Sequence, residues 1–357
     1  MTKTLGLALG SGGARGWAHI GVIRALMEAD IPIHSIAGAS IGAFVGAIHA
    51  AGELDELEAF VRELDWKGIM ALFDLTFPTS GLLDGNKVYE LLTQHLLDLN
   101  IEDAGIPFCC VATNLITGQE VQLQTGCMAD AVRASISIPG VFTPFERDGC
   151  FLGDGGIVNP VPVNVVRQMG AEVVLAINLN HTPSPITSEE EEEEVEEKKV
   201  VDPDPTQDNR DPSKLETAIE QTATNAKTEN DARDIPQRNS PEQEETNIIT
   251  RIRQKYRSFQ ETLQEGVQDK LNRWLPEQKD EKSSPNIFDI IGTTLNVMEQ
   301  QITRQRLEQS PPDLLIQPDL SNFGIFDFDQ ADAIIKAGYR QTQAQIPQLR
   351  DLIERPD

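Results

Sequence analysis

Apolar residues along the chain fall into two rhythms. Residues 4–9, 36–39 and Val173–Ile177 are short, nearly uninterrupted apolar runs and predict strands buried on both faces. Elsewhere apolar residues recur every three or four positions, the spacing of a helix packed on one side. Ile20, Ile23, Leu26 and Met27 do so up to Asp30, and residues 43–48 form a continuously apolar helix. Leu54, Leu57, Phe60, Val61 and Leu64 mark the next, opened by Glu53 and ending before Trp66-Lys67-Gly68. Residues 86–97, with Val88, Leu91, Leu92 and His95 on one side, Met128–Ser135 and residues 163–169 read the same way. Phe108–Asn114 and Glu120–Leu123, joined through Thr117-Gly118, predict a hairpin. Leu314–Ile316 is a further strand, and Ile334, Ile335 and Ile346 mark a final helix. Strands alternating with helices predict an α/β fold with a mostly parallel central sheet and helices on both faces.

The rhythm breaks at Pro183. Glu189 to Glu194, Glu196 and Glu197 open a polar, proline-bearing tract that has too little apolar surface to offset chain entropy. Residues 186–245 are therefore expected to be a disordered acidic insert. A stripe then returns through Ile248, Ile252, Tyr256, Phe259, Leu263, Val267, Leu271 and Trp274, with Arg251, Arg253, Lys255 and Arg257 at its start. Such a helix either lies in a membrane interface or packs on its own domain, and both readings stay open. A further helix over residues 287–307 carries Ile290, Ile291, Leu295, Met298 and Ile302. The expected organisation is a catalytic core over residues 1–185, the insert 186–245, an amphipathic helical segment over 246–285, and a C-terminal part, 286–357, that completes the core. The apolar stretch 69–83, punctuated by Pro78 and Gly81, suits either a lipid-facing lid or ordinary loop packing.

Composition narrows the function classes. The chain has 357 residues, 39% of them hydrophobic, which is enough for a sizeable core. Its net charge of -27 argues against a nucleic-acid partner, because phosphate attraction supplies most sequence-independent affinity. Residues 186–245 hold 20 acidic and 7 basic side chains, so the remaining body is much less acidic than the total suggests. No run approaches about 18 apolar residues, and Met1-Thr2-Lys3 leads straight into the first strand, so neither a membrane span nor a signal peptide is expected. Cys109, Cys110, Cys127 and Cys150 show no C-x-x-C or Cys/His pairing. They read as core thiols of a cytoplasmic protein, peripheral to a membrane if the basic stripe is interfacial, and no metal or other cofactor is called for.

Three pieces carry candidate chemistry. Gly38-Ala39-Ser40-Ile41-Gly42 has the G-x-S-x-G spacing of a nucleophile elbow, where a side chain two residues either side of the serine would block the sharp strand-to-helix turn. Alone it also suits a tight packing turn. Gly10-Ser11-Gly12-Gly13-Ala14-Arg15-Gly16 follows the first strand and opens a helix, so its free N–H groups can cradle a phosphate or an oxyanion. The oxyanion is favoured: no lysine-serine or lysine-threonine pair closes the loop, the spacing does not fit G-x-G-x-x-G, and a candidate nucleophile comes one strand later. Arg15 is either a charge steadying the turn or substrate head, or a surface arginine. Asp154-Gly155-Gly156 ends a short apolar strand and leads into Asn159-Pro160-Val161-Pro162, which prescribes an extended exit. By itself this suits an Asx-turn.

In this order the three pieces resemble the patatin-like phospholipase family, in its compact bacterial branch related to the catalytic domain of neuropathy target esterase. The resemblance takes in Ser80 to Gly85, Val111 to Asn114, Ala131 to Ser135 and Ile138 to Phe142, and resumes at Pro312 to Pro318 and Phe328-Asp329. It implies an α/β fold and a Ser-Asp dyad that hydrolyses lipid acyl esters, with lipid or lysolipid as substrate. It further implies Ser40 as nucleophile, Asp154 as general base and the amides of Gly12 and Gly13 as oxyanion hole. Ser11 stands where many members carry another glycine. Two rivals are weighed against it. Ser40, Asp154 and His181 occur in the chain order of an α/β-hydrolase triad, although that fold places nothing catalytic on its first strand. The other rival is a catalytically silent binding or regulatory protein of the same fold. His19, His34, His49 and His95 read as structural.

Overall fold

The computed structural model describes residues 2–72, 81–96, 99–180 and 287–355, apart from the side chains of residues 70, 71 and 287–289. The acidic insert, the basic stripe, His181 and residues 73–80 of the apolar stretch lie outside the described residues. Ten strands are described: β1 (Leu5–Leu9), β2 (Ser35–Ala39), β3 (Gly81–Leu83), β4 (Phe108–Asn114), β5 (Glu120–Leu123), β6 (Gly140–Phe142), β7 (Phe145–Arg147), β8 (Cys150–Gly153), β9 (Val173–Ile177) and β10 (Leu314–Ile316). The α-helices are α1 (Ala18–Glu28), α2 (Ile41–Ala50), α3 (Leu54–Glu63), α4 (Trp66–Leu72), α5 (Asn86–Leu96), α6 (Met128–Ser135), α7 (Val163–Gln168), α8 (Ile287–Gln309) and α9 (Ala331–Glu354).

The main sheet runs β10-β9-β1-β2-β4-β8-β7, with β5 also paired to β4. From β10 to β4 every pairing is parallel, while β5, β8 and β7 pair antiparallel. Alternation along the central strands sorts side chains by size. Leu5, Leu7 and Leu9 of β1 and Leu175 and Ile177 of β9 enter the larger core, beneath α1, α2 and α9. Ala8, Ala37, Ala39, Val174 and Ala176 face the other way, onto the valines of α7. Period-two geometry thus covers both faces with helices, one over large side chains and one close-packed over small ones. Two elements depart from the expected pattern. Trp66-Lys67-Gly68, expected to lie beyond a helix end, begins the short helix α4. A second parallel sheet of β3 and β6 pairs two glycine-bearing segments whose periodicity gives no strand signal.

The register around β4 brings the chemistry together. Val111 pairs with Ala39 of β2 and Gln122 of β5, so these neighbours occupy opposite edges of β4. Thr113 pairs with Glu120 of β5 and Gly153 of β8, which puts β8 on the same edge as β2. Since β2 runs parallel to β4 and β8 antiparallel, the two approach head-on along that edge. Each stops one residue short of Ala112, and the next residues are Ser40 and Asp154.

Candidate active site

Ser40 leaves β2 with φ 53° and ψ -123°, a conformation that costs a non-glycine residue of order 1–3 kcal/mol. Surrounding bonds hold it there. Its N–H donates to Ser135 Oγ at 2.8 Å, whose hydroxyl donates to Val111 O at 2.6 Å. Its carbonyl accepts from Ala43 and Phe44 and starts α2. Glycine is required on both sides. A Cβ on Gly38 would lie 2.5 Å from the Ala43 backbone, and one on Gly42 would collide with the carbonyl of Leu9.

Ser40 Oγ donates to Asp154 Oδ2 at 2.6 Å. Asp154 is 3% exposed and held at its backbone as well, its N–H donating to Ser137 O and its carbonyl accepting from Thr113 Oγ1. Its other carboxylate oxygen, Oδ1, accepts from Gly156 N at 2.7 Å. The Asx-turn and the serine contact therefore coexist, one oxygen each. Burial first and the Glu299 charge second push the Asp154 carboxyl up to about 8, while the Ser40 and Gly156 donors act in the opposite sense.

The glycine-rich turn closes the third side. Gly10 N donates to Ile177 O, Ser11 N to Pro160 O and Ala14 N to Ile325 O, which pins the turn at both ends. Between these anchors Gly12 and Gly13 adopt φ 153° and 59°. Among the described residues their N–H groups meet no acceptor. Arg15 is buried rather than on the surface: its Nε donates to Gly12 O at 3.4 Å and its Nη2 to Asn296 Oδ1 at 3.0 Å. Burial lowers its pKa, and Glu299 and Asp327 counter that. Gly16 lies against Ile41 and Gly155 against the Val111 carbonyl, so both are sites of close approach. Gly12, Gly13, Ser40 and Asp154 line one cleft with apolar walls from Ile138, Ile157, Leu295 and Ile325.

The described histidines stay away from Ser40. Buried His19 sits behind the turn with Nε2 2.8 Å from Gly10 O, and burial takes its pKa down to about 4. His34 Nδ1 accepts from Leu5 N, and burial lowers the pKa of both His49 and His95. All four cysteines are free, Cys109 and Cys110 buried and Cys127 and Cys150 partly so. Sequence motifs had no hold on Ser135, Asn180, Asn296, Glu299 or Ile325 as site residues. Ser135 falls within the Ala131 to Ser135 segment of the family resemblance, whereas the others sit in no recognisable spacing.

Residues 7–167 match the family model described as patatin-like phospholipase. An uncharacterized NTE family protein of Mycobacterium tuberculosis is 45% identical over 174 residues, 49% of this chain and 48% of that protein. The rat patatin-like phospholipase domain-containing protein 7 is 38% identical over 185 residues, 50% of this chain and 14% of that one. Lysophospholipase NTE1 of Coccidioides immitis is 38% identical over 182 residues, 50% and 12% respectively. The chain thus spans about half the length of the mycobacterial relative and a smaller share of the other two. Residues 7–167 thus carry a patatin-like phospholipase domain, and NTE family proteins are among the relatives of this chain.

Proposed function

We propose that this protein is a serine lipid acyl hydrolase of the phospholipase A or lysophospholipase type, working by a Ser40-Asp154 dyad. The observation that carries the reading is the 2.6 Å hydrogen bond from a strained elbow serine to a buried carboxylate, within a cleft lined by the glycine-rich turn. Asp154 Oδ2 takes the Ser40 proton as Oγ attacks the acyl carbonyl. The developing oxyanion is received by the amides of Gly12 and Gly13, where each donor is worth about 2.7–4 kcal/mol. Asp154 then passes the proton to the departing alcohol, leaving an acyl ester on Ser40. A water gives its proton to Asp154 and attacks that ester, and Ser40 recovers the proton as the free acid leaves. No imidazole is needed in this scheme, because the carboxylate reaches the hydroxyl directly.

A fluorophosphonate probe is expected to label wild type and not Ser40→Ala. Hydrolysis of a chromogenic ester should fall by several orders of magnitude in that variant, whereas His181→Ala should keep activity. Near-wild-type turnover by Ser40→Ala would remove the nucleophile assignment. A folded but inactive His181→Ala protein would favour the triad instead, and an unlabelled, inactive wild type would favour the silent binding protein.

A further inference from the structure

The cleft has a fourth wall in α8. Gly292, Leu295, Asn296, Glu299 and Thr303 recur at helical spacing on its inner side. Gly292 packs on Ile325, Thr303 is buried, and the other three line the cleft. Glu299 is the charged member. Its Oε2 accepts from Asn180 Nδ2 at 2.5 Å, and the same nitrogen reaches Ser11 Oγ at 3.2 Å. Asn180 thereby bridges Ser11 to Glu299, and Ser11 and Arg15 both favour the charged form of the carboxylate. A Cβ on Gly156 would collide with Glu299 Oε1, stand 3.0 Å from Asp154 Oδ1 and stand 3.0 Å from Ser11 Cβ. Both carboxylates therefore flank one point, directly over the Cα of Gly156.

We propose that Glu299 is a positioning residue of the Ser40 site, holding the glycine-rich turn through Ser11 and Arg15 and presenting its negative charge to Asp154. The role rests on the dyad reading above. Burial raises the pKa of Glu299, while its Ser11 and Asn180 contacts and the nearby Arg15 guanidinium counter that and favour the ionised form. Among the described residues the Asp154 side chain accepts from one amide and one hydroxyl. Of two neighbouring acids the better-supported one ionises first, and its charge makes the other hold its proton more tightly and become the stronger base once it ionises. The charged groups involved are Glu299, Asp154 and Arg15, with Asp327 beyond Arg15. Ser11 thereby acquires a function: its hydroxyl, bridged by Asn180 to Glu299, ties the turn to α8.

The test uses the full chain. In Glu299→Gln, the pH midpoint of Ser40-dependent ester hydrolysis should move down by ~0.5 unit or more, since a like charge has gone. The plateau rate should fall further in Glu299→Ala, by ~10-fold or more, because the amide of Gln can still accept from Asn180. A uniform loss at every pH with no change of midpoint, in a folded Glu299→Gln protein, would overturn the proposal by reducing Glu299 to packing. An activity-free measurement separates this from the dyad reading. The Asp154 side-chain carboxyl resonance in 13C NMR, assigned by its absence from Asp154→Asn, should titrate at lower pH in Glu299→Gln than in wild type. An unchanged midpoint there refutes the coupling whether or not the protein hydrolyses esters. A shifted midpoint in a protein without Ser40-dependent hydrolysis upholds the coupling and rejects the dyad.

Discussion

At the scale of single residues the site turns on one carboxyl group whose burial decides both its chemistry and its cost. In the proposed dyad Asp154 must be ionised to take a proton, and burial first, then Glu299, carries its pKa up to about 8. Ester hydrolysis should accordingly rise with pH through a midpoint near that value. Stability should move the other way. Between the ordinary value of 3.8 and about 8, folded Asp154 keeps a proton that the unfolded chain has lost. Its stabilising contribution is whole below that interval and is lost as pH rises through it. Asp154→Asn removes the titration, so it should be inactive, yet its Tm relative to wild type should climb between pH 5 and pH 8. Thermal unfolding of both proteins across that range checks this, and a Tm difference that does not vary with pH would contradict it. The turns at Ser40, at Asp154 and through the glycines were legible beforehand as local geometry, because their motifs encode backbone shapes that few residue types tolerate. Glu299 was not, because a glutamate on an amphipathic helix looks like a solvated one until its neighbours are known.

At the scale of elements, the turns of the site depend on backbone approaching backbone. Gly13 combines φ 59° with Ile325, whose carbonyl would meet an added Cβ. That carbonyl also accepts from Ala14 N, so it cannot withdraw without releasing the turn. Gly13→Val should therefore lose most esterase activity and unfold at lower urea than wild type, with the left-handed strain alone worth about 1–2 kcal/mol. Full activity at unchanged stability would remove the turn from the mechanism. Periodicity read most elements correctly: the hairpin over β4 and β5, helices α1, α2 and α5 to α9, and strands β9 and β10 all follow from it. The hairpin turn closes as expected, with Asn114 Oδ1 accepting from the amides of Ile116 and Thr117. Short α4 and the β3-β6 pair escaped, because seven residues or three hold too few periods for the pattern to register, and tertiary packing chose their state.

At the scale of the molecule, β9 pairs in parallel with β10, Leu175 opposite Leu314, although residues 181–286 separate the halves of the described domain. Asn180, the last described residue before that stretch, hydrogen-bonds Glu299 of α8, the helix that begins at its far end, so the two sides are also joined directly. Replacing residues 186–245 by a short Gly/Ser linker is expected to leave folding and soluble-ester activity intact. Removing 248–275 as well should weaken action on vesicles selectively if that stripe meets the membrane interface. Circular dichroism and paired assays on soluble ester and on vesicles test both parts; loss of folding on replacing the tract alone would make it part of the domain. By itself the sequence determined the class of fold, the buried strands and the three local turns, because each follows from side-chain periodicity or from backbone conformations that only glycine accepts readily. Only the tertiary structure decided that β2 and β8 share one edge of β4 and stop on either side of Ala112. That register carries Ser40 to Asp154 across 114 residues of chain, and helix packing adds Glu299. Strand order and helix docking are long-range choices, made by the burial of whole faces, and no local spacing encodes them.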